Sequence, residues 1–223
     1  APGAARSAAT ARALEALPAG GSVLDVGCGG GAAAFALTPP ASLVIGVDER
    51  AAMLELFAQD ARRRGVEHRT VLGSWPAAAP DAPRADVAVC HNVAYNVAEL
   101  APFVIALDAH ARRRVVLELT LTHPWAPLGP LFERFWGLSR PAGPTAELAL
   151  AVVHEAGFPA ARLERSPATP RRRVRDRATV VAFTRRRLCL GAERDPEVDA
   201  ALGEQALPEL ERAAIWWEAQ GGG

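Results

Sequence analysis

Short apolar runs alternate with longer amphipathic stretches along most of this chain. Such alternation is typical of a parallel β-sheet flanked by helices, because each strand is buried on both faces and each helix on one. The apolar and β-branched runs predict strands at 22–26, 43–47, 69–72, 86–90, 115–119, 161–164 and 211–217.

Helical spacing is clearest over 51–64. Met53, Phe57 and Ala61 recur at every fourth position, and Gly65 follows as a terminator. Similar patterns predict further helices over 4–17, from 32 onwards, along 100–111 and from Thr145 to Gly157.

One segment, 178–188, fits two elements. Its β-branched residues favour a strand, whereas Val180, Thr184 and Leu188 have helical spacing. We predict a helix here.

This order of elements predicts an α/β fold: a Rossmann-like, doubly wound, mostly parallel seven-stranded sheet with helices on both faces, formed by 1–223 as one domain. Prolines and aromatic residues break the rhythm over 120–143, which predicts a cap insertion, partly helical, after the fifth strand. A second helical insertion is expected over 168–205. The last strand should run antiparallel between two neighbours, with Trp216 and Trp217 covering the sheet face.

A glycine-rich turn follows the first predicted strand. Gly27, Gly29 and Gly31 alternate there with other residues, and a helix is predicted next. Glycine allows a sharp turn and a close approach of backbone to ligand, and a helix N-terminus favours an anionic group. Two acids flank this turn: Asp25 stands two residues ahead of it, and Asp48 ends the second strand.

With this acid-and-glycine pattern, the sequence resembles the class I S-adenosylmethionine-dependent methyltransferases over about 23–119. The resemblance implies S-adenosylmethionine as cofactor, with the glycine backbone against its methionine part and Asp48 on its ribose hydroxyls. Helix capping and loop bracing are the structural alternatives for the two acids. The residues assigned to the cofactor are Asp25, Gly27, Cys28, Gly29, Gly31, Asp48, Glu49, Met53, Ser74, Trp75, His91 and Asn92.

A nicotinamide dinucleotide is the alternative cofactor, since its fingerprint also has a glycine turn and a downstream acid. That fingerprint does not require an acid at Asp25. On the adenine side, Ser74 stands where the family often has an acid. Trp75 could shield the base or cover the sheet edge, and Met53 could lie over the adenine or in the core.

The exit of the fourth strand carries the candidate chemistry. Ligands of open parallel sheets bind beyond the carboxyl ends of the strands, where His91, Asn92 and Tyr95 are expected. The candidate catalytic residues are His91, Tyr95 and His123, with Glu118 as a further possible base. Aromatic residues of 120–143 could line an acceptor pocket or form their own small core.

The amino-acid composition limits the classes of partner that we expect for this protein. The 25 basic and 25 acidic residues balance, which disfavours a general nucleic-acid or membrane binder, although an arginine cluster at 171–177 keeps RNA methylation open. The three cysteines are widely separated and match no metal-ligand spacing, so we expect no metal site and a cytoplasmic location. We predict methyl transfer to a small molecule by a monomer or homodimer; a non-catalytic cofactor-binding domain is the other alternative.

Overall fold

The computed structural model describes residues 6–166, 176–203 and 210–221, and within these ranges it has seven strands and eight α-helices. The strands are β1 Ser22–Val26, β2 Leu43–Asp48, β3 Glu67–Leu72, β4 Ala85–His91, β5 Ala111–Thr120, β6 Arg162–Arg165 and β7 Arg212–Glu218. The helices are α1 Ala8–Ala16, α2 Ala32–Phe35, α3 Ala51–Arg64, α4 Leu100–His110, α5 Gly129–Trp136, α6 Ala146–Glu155, α7 Arg177–Arg187 and α8 Asp195–Leu202.

The strands form one sheet in the order β3-β2-β1-β4-β5-β7-β6. Strands β1 to β5 are parallel to their neighbours, and β7 is antiparallel to both β5 and β6. The predicted seven-stranded, mostly parallel sheet with an antiparallel last strand is therefore confirmed. Chain order reverses between β1 and β4, and such a reversal opens a crevice at the carboxyl ends of the strands.

Each face of the sheet has its own apolar core. On one face, Leu24 of β1 packs in a cluster with Phe103 of α4 and Val153 of α6. On the opposite face, Val23 belongs to a cluster with residues of α1, α2 and α3, including the fully buried Phe57. Because successive strand residues point to opposite faces, near-continuous apolar runs fill both cores.

A third, smaller apolar cluster lies outside the sheet. Phe132 of α5 packs with Val181 of α7 and Val198 of α8. The described parts of the two predicted insertions thus pack against each other. The helix predicted over 178–188 is confirmed by α7, while 168–175 and 204–205 of the second insertion lie outside the described residues.

Several predicted boundaries were wrong. Strand β5 begins at Ala111 rather than 115, because Ala111 and Arg114 already pair with β4, and Arg114 also pairs with Glu218 of β7. Helix α2, predicted from 32 onwards, has only four residues and ends at Phe35. Helix α1 begins at Ala8 because Ser7 has extended backbone and caps it, its hydroxyl accepting from the Thr10 amide at 3.2 Å.

The two tryptophans of β7 do not cover one sheet face together. They are adjacent in the strand, so they point to opposite faces. Trp217 is buried beside α4, where its Nε1 donates to Asp108 Oδ1 at 2.9 Å. Trp216 lies on the α1 face under the guanidinium groups of Arg12 and Arg114, at 5.6 and 4.6 Å from the ring centroid.

This pair gives a test of what one buried hydrogen bond contributes to folding. Trp217→Phe removes the Asp108 partner and should lower the free energy of unfolding by roughly 1–3 kcal/mol. Trp216→Phe is the matched control, because Trp216 Nε1 is buried without a hydrogen-bond partner in the described part of the chain. Urea unfolding should find the control clearly less destabilised. Equal losses would contradict the assigned role of the Asp108 bond.

Candidate functional site

The loop after β1 turns through left-handed backbone. Gly27, Gly29 and Gly31 have φ of 70°, 51° and 85°, a region that favours glycine. A Cβ on Gly27 would lie 2.4 Å from Val93 Cγ2, so a side chain there would also collide with the exit of β4. The amides of Gly27 and Cys28 both donate to the Val47 carbonyl, which ties the loop to β2.

Asp48, at the end of β2, is fixed by backbone donors. Its Oδ2 accepts from the Gly29 amide at 2.9 Å, and its Oδ1 accepts from the Arg50 amide at 2.9 Å. The carboxylate is 8% exposed and lines the neighbouring cleft. Both oxygens keep lone pairs for a ligand in addition to these bonds.

A cleft of about 590 Å³, here the main cleft, opens at the carboxyl ends of β1, β2 and β4. This is the crevice expected where the strand order reverses. From the sequence-predicted set, its lining includes Gly27, Gly29, Asp48, Glu49, Ser74, Trp75, His91 and Asn92.

Other residues of the predicted cofactor set either do not line the main cleft or also have a structural role. Met53 is half-buried on α3 and does not line the main cleft, and Gly31 precedes α2 as its cap. The buried Cys28 has a thiol whose pKa is raised by burial. Trp75 does line the main cleft, but its Nε1 donates to the Phe103 carbonyl at 3.1 Å, so it also belongs to the core.

A second opening of about 360 Å³, here the side cleft, lies on the α1 face of the sheet. Gly27, His91 and Asn92 line both clefts, so the two clefts adjoin at these residues. Besides these three, the side cleft is lined by Ser7, Thr10, Asp25, Cys28, Ala32, Ala33, Ala36, Glu118 and Arg212.

Asp25 is almost fully buried at the bottom of the glycine loop. Its Oδ2 accepts from the Ala34 amide of α2 at 3.2 Å. Burial raises the pKa of Asp25 to about 7, the Ala34 amide opposes this rise, and the charge of Asp48 adds to it. Asp25 therefore braces the short helix. With this pKa, its carboxyl group changes protonation state near neutral pH.

Two charged side chains and one imidazole meet at the edge of the side cleft. His91 Nδ1 lies 3.9 Å from Glu118 Oε1, and the same Oε1 accepts from Arg212 Nη1 at 3.0 Å. Burial lowers the pKa of His91; Arg212 lowers it further, while Glu118 raises it.

The other catalytic candidates form a separate contact chain. Tyr95 donates its hydroxyl to Asn92 Oδ1 at 2.9 Å, and its ring lies edge-on to His123 with centroids 5.8 Å apart. Tyr95 lines an apolar groove of about 290 Å³ beside α6, and His123 is not among the lining residues of the main or side cleft. Burial raises the pKa of Tyr95 and lowers the pKa of His123.

Sequence reasoning missed Arg212 and the pairing of Glu118 with His91. Strand alternation contains the signal, since residues 116 and 118 of β5 and 212 and 214 of β7 share the α1 face. What the sequence lacked was the register, in which His91 stands opposite Glu118 and Thr120 opposite Arg212.

Within 6–166, 176–203 and 210–221, no group of three or more His, Cys, Asp or Glu residues is placed to hold a metal ion. The helices in the same ranges are too short or too polar to cross a membrane.

Part of the chain is similar in sequence to known methyltransferases. Residues 23–112 match the family model described as a methyltransferase domain. Over 89 residues, the chain is 39% identical to the ribosomal protein L11 methyltransferase of Salmonella arizonae, covering 40% of this chain and 30% of that protein. The chain spans about a third of the length of the curated relatives it matches.

Solved structures match over more of the chain. The YcgJ protein of Bacillus subtilis has a TM-score of 0.61 at 18% identity, with 94% of this chain and 97% of that one covered. Magnesium protoporphyrin IX methyltransferase from Synechocystis, solved with bound S-adenosylhomocysteine, has a TM-score of 0.54 at 16% identity, with 87% and 72% covered. The family match around the glycine loop and this shared seven-stranded fold are consistent with the class I S-adenosylmethionine-dependent methyltransferase family.

Proposed function

We propose that this protein transfers the methyl group of S-adenosylmethionine to a small-molecule acceptor. The observation that carries the proposal is the junction of Gly29 and Asp48 at the main cleft, where a backbone turn and an oriented carboxylate meet. The family match over 23–112 supports the same cofactor.

The residues at the main cleft fit this cofactor. A Cβ built on Gly29 would have no atom within 4 Å, so open space lies directly against the backbone of the loop. The Asp48 carboxylate faces that cleft and can accept from two adjacent hydroxyl groups, as a ribose presents. A nicotinamide dinucleotide would use a similar acid at Asp48, but its fingerprint does not require an acid at Asp25.

When bound, the cofactor supplies an electrophilic methyl group on a sulfonium sulfur. The contribution of the chain is then to bind, to align and to exclude water. In this proposal Asp48 holds the ribose, the glycine loop lies along the methionine part, and Asp25 gives a negative charge near the cationic groups. His91 and Asn92, where the two clefts adjoin, face the acceptor.

A small acceptor agrees with the size of the side cleft, about 360 Å³. The acceptors named for related proteins range from a ribosomal protein to a magnesium porphyrin, so the fold leaves the acceptor open. The three cysteines are unpaired, which supports the proposed cytoplasmic location.

Binding of S-adenosylmethionine and S-adenosylhomocysteine should depend on Asp48. Asp48→Asn keeps one oxygen for a backbone donor but removes the charge, so it should weaken binding by roughly 1–3 kcal/mol. Isothermal titration calorimetry with both compounds measures this effect, and NAD and NADP serve as ligands that should not bind.

Asp60→Asn is the matched control, because Asp60 pairs with Arg63 and Arg64 on the exposed face of α3, away from both clefts. Its affinity should equal that of the wild type. An unchanged affinity in Asp48→Asn would remove Asp48 from the cofactor site, and tight dinucleotide binding would contradict the proposed function.

The affinity for S-adenosylmethionine should rise with pH because Asp25 ionises with a pKa of about 7. A cationic ligand is attracted by the charged form, so binding at pH 8 should be stronger than at pH 6. In Asp25→Asn this increase should be absent. Calorimetry at the two pH values decides the matter, and an equal pH dependence in both proteins would contradict a role for Asp25.

The same group should make folding stability fall with rising pH. The folded chain holds the Asp25 proton up to about pH 7, whereas the unfolded chain releases it near the ordinary value of 3.8. The unfolded state therefore binds fewer protons across this window, and wild-type stability declines from pH 4 to about 7 and levels off above. Without ligand, Asp25→Asn should gain on the order of 3 kcal/mol over the wild type between pH 5 and pH 8. Urea unfolding that shows no such pH-dependent gain would contradict the raised pKa.

A further inference from the structure

Two buried polar atoms at the side cleft have no hydrogen-bond partner in the described part of the chain. They are Nε2 of His91 and Oε2 of Glu118. Both residues line the side cleft, and the Glu118 side chain is 3% exposed. An unpaired buried polar atom costs roughly 1–3 kcal/mol, so two on one cleft indicate that a ligand completes them.

The sheet itself brings these side chains together. His91 and Glu118 are register partners on the adjacent parallel strands β4 and β5, so their side chains leave the same face. From β7, Arg212 donates to Glu118 Oε1 at 3.0 Å. The arginine therefore fixes the carboxylate, and the carboxylate lies beside the imidazole.

The neighbouring carboxylate favours one tautomer of the imidazole. The nitrogen nearer to Glu118 is Nδ1, 3.9 Å from Oε1, and Nε2 is the nitrogen left without a partner. A proton on Nδ1 is favoured by the neighbouring carboxylate, and it leaves the lone pair on Nε2. Nε2 is then the basic atom of the ring, on a residue that lines the side cleft.

We infer that His91 is the general base for a hydroxyl-bearing acceptor, with Glu118 and Arg212 as the positioning residues that hold its ring. This inference rests on the proposed function and adds to it the chemical class of the acceptor.

The proton and electron balance requires no further reactant. The acceptor O–H bond breaks, its proton moves to His91 Nε2, and its electron pair stays on oxygen. That oxygen forms the new bond to the methyl carbon, while the electrons of the carbon–sulfur bond remain on sulfur and leave a neutral thioether. A neutral amine already has a free lone pair and needs no base before it attacks, so a built-in base favours a hydroxyl acceptor.

Burial, more than the surrounding charges, keeps His91 in the required neutral form. Glu118 faces it from β5 and Arg212 from β7, while Asp25 stands across the side cleft and Asp48 across the main cleft. Burial is the largest effect and lowers the pKa of His91, so the ring is neutral at neutral pH and able to accept a proton.

The positioning residues are tested by NMR of the full chain labelled with ¹⁵N in its histidines, without ligand and with S-adenosylhomocysteine. The wild type should show His91 with its proton on Nδ1. Glu118→Gln should lower the pKa of His91 and Arg212→Gln should raise it, because the two charges act in opposite directions. Glu218→Gln, in an exposed pair with Arg114 farther along β7, should leave both readouts unchanged. A proton on Nε2 in the wild type, or a pKa unmoved by both variants, would overturn the arrangement.

The acceptor class is tested with matched pairs of probes that differ only in hydroxyl against amine: catechol with 1,2-phenylenediamine, and 4-hydroxybenzoate with 4-aminobenzoate. Methyl transfer should go to the hydroxyl compounds and fall by about 100-fold or more in His91→Asn. His68→Asn on β3, away from both clefts, is the control.

Transfer to the amines alone, transfer to neither class, or an undiminished rate in His91→Asn would overturn the inference. Calorimetry with S-adenosylhomocysteine separates this failure from that of the proposed function, since loss of cofactor binding in the wild type would refute the function itself.

Discussion

The hydrogen bond from the Gly29 amide to the Asp48 carboxylate joins the loop after β1 to the end of β2. The main cleft depends on this junction, because it holds the turn of left-handed glycines in place at the carboxyl ends of β1 and β2. With Gly27 also fitted against Val93, the loop is anchored on both sides of the crevice. A loop anchored in this way presents backbone to a ligand without having to be ordered by it.

Local patterns predicted much of this molecule. The glycine loop, the two acids around it and helix α3 follow from residues that are close in sequence, and each appears where the pattern put it. Asn92, at the exit of β4, has left-handed backbone with φ of 61°, which asparagine tolerates better than most residues.

Contacts between distant segments could not be predicted from the sequence. Glu118 and Arg212 are 94 positions apart, and only the register of β5 with β7 shows that they meet. The early start of β5 has the same origin, since pairing with β4 and β7 overrode the polar local pattern. The sequence also could not predict that Met53 lies outside the main cleft, because a core residue and a cleft residue of an amphipathic helix have the same spacing.

The antiparallel insertion of β7 between β5 and β6 has a consequence for biosynthesis. Arg212 is the counter-ion of a carboxylate encoded far earlier, so a ribosome-bound chain that has completed β4 and β5 carries Glu118 without it. Until β7 emerges, the edge of β5 also exposes unpaired backbone groups to other chains. The addition of β7 therefore pairs the backbone of β5 and supplies the counter-ion of Glu118 at the same time. A nascent chain that still lacks β7 is exposed to chaperones and to misassembly.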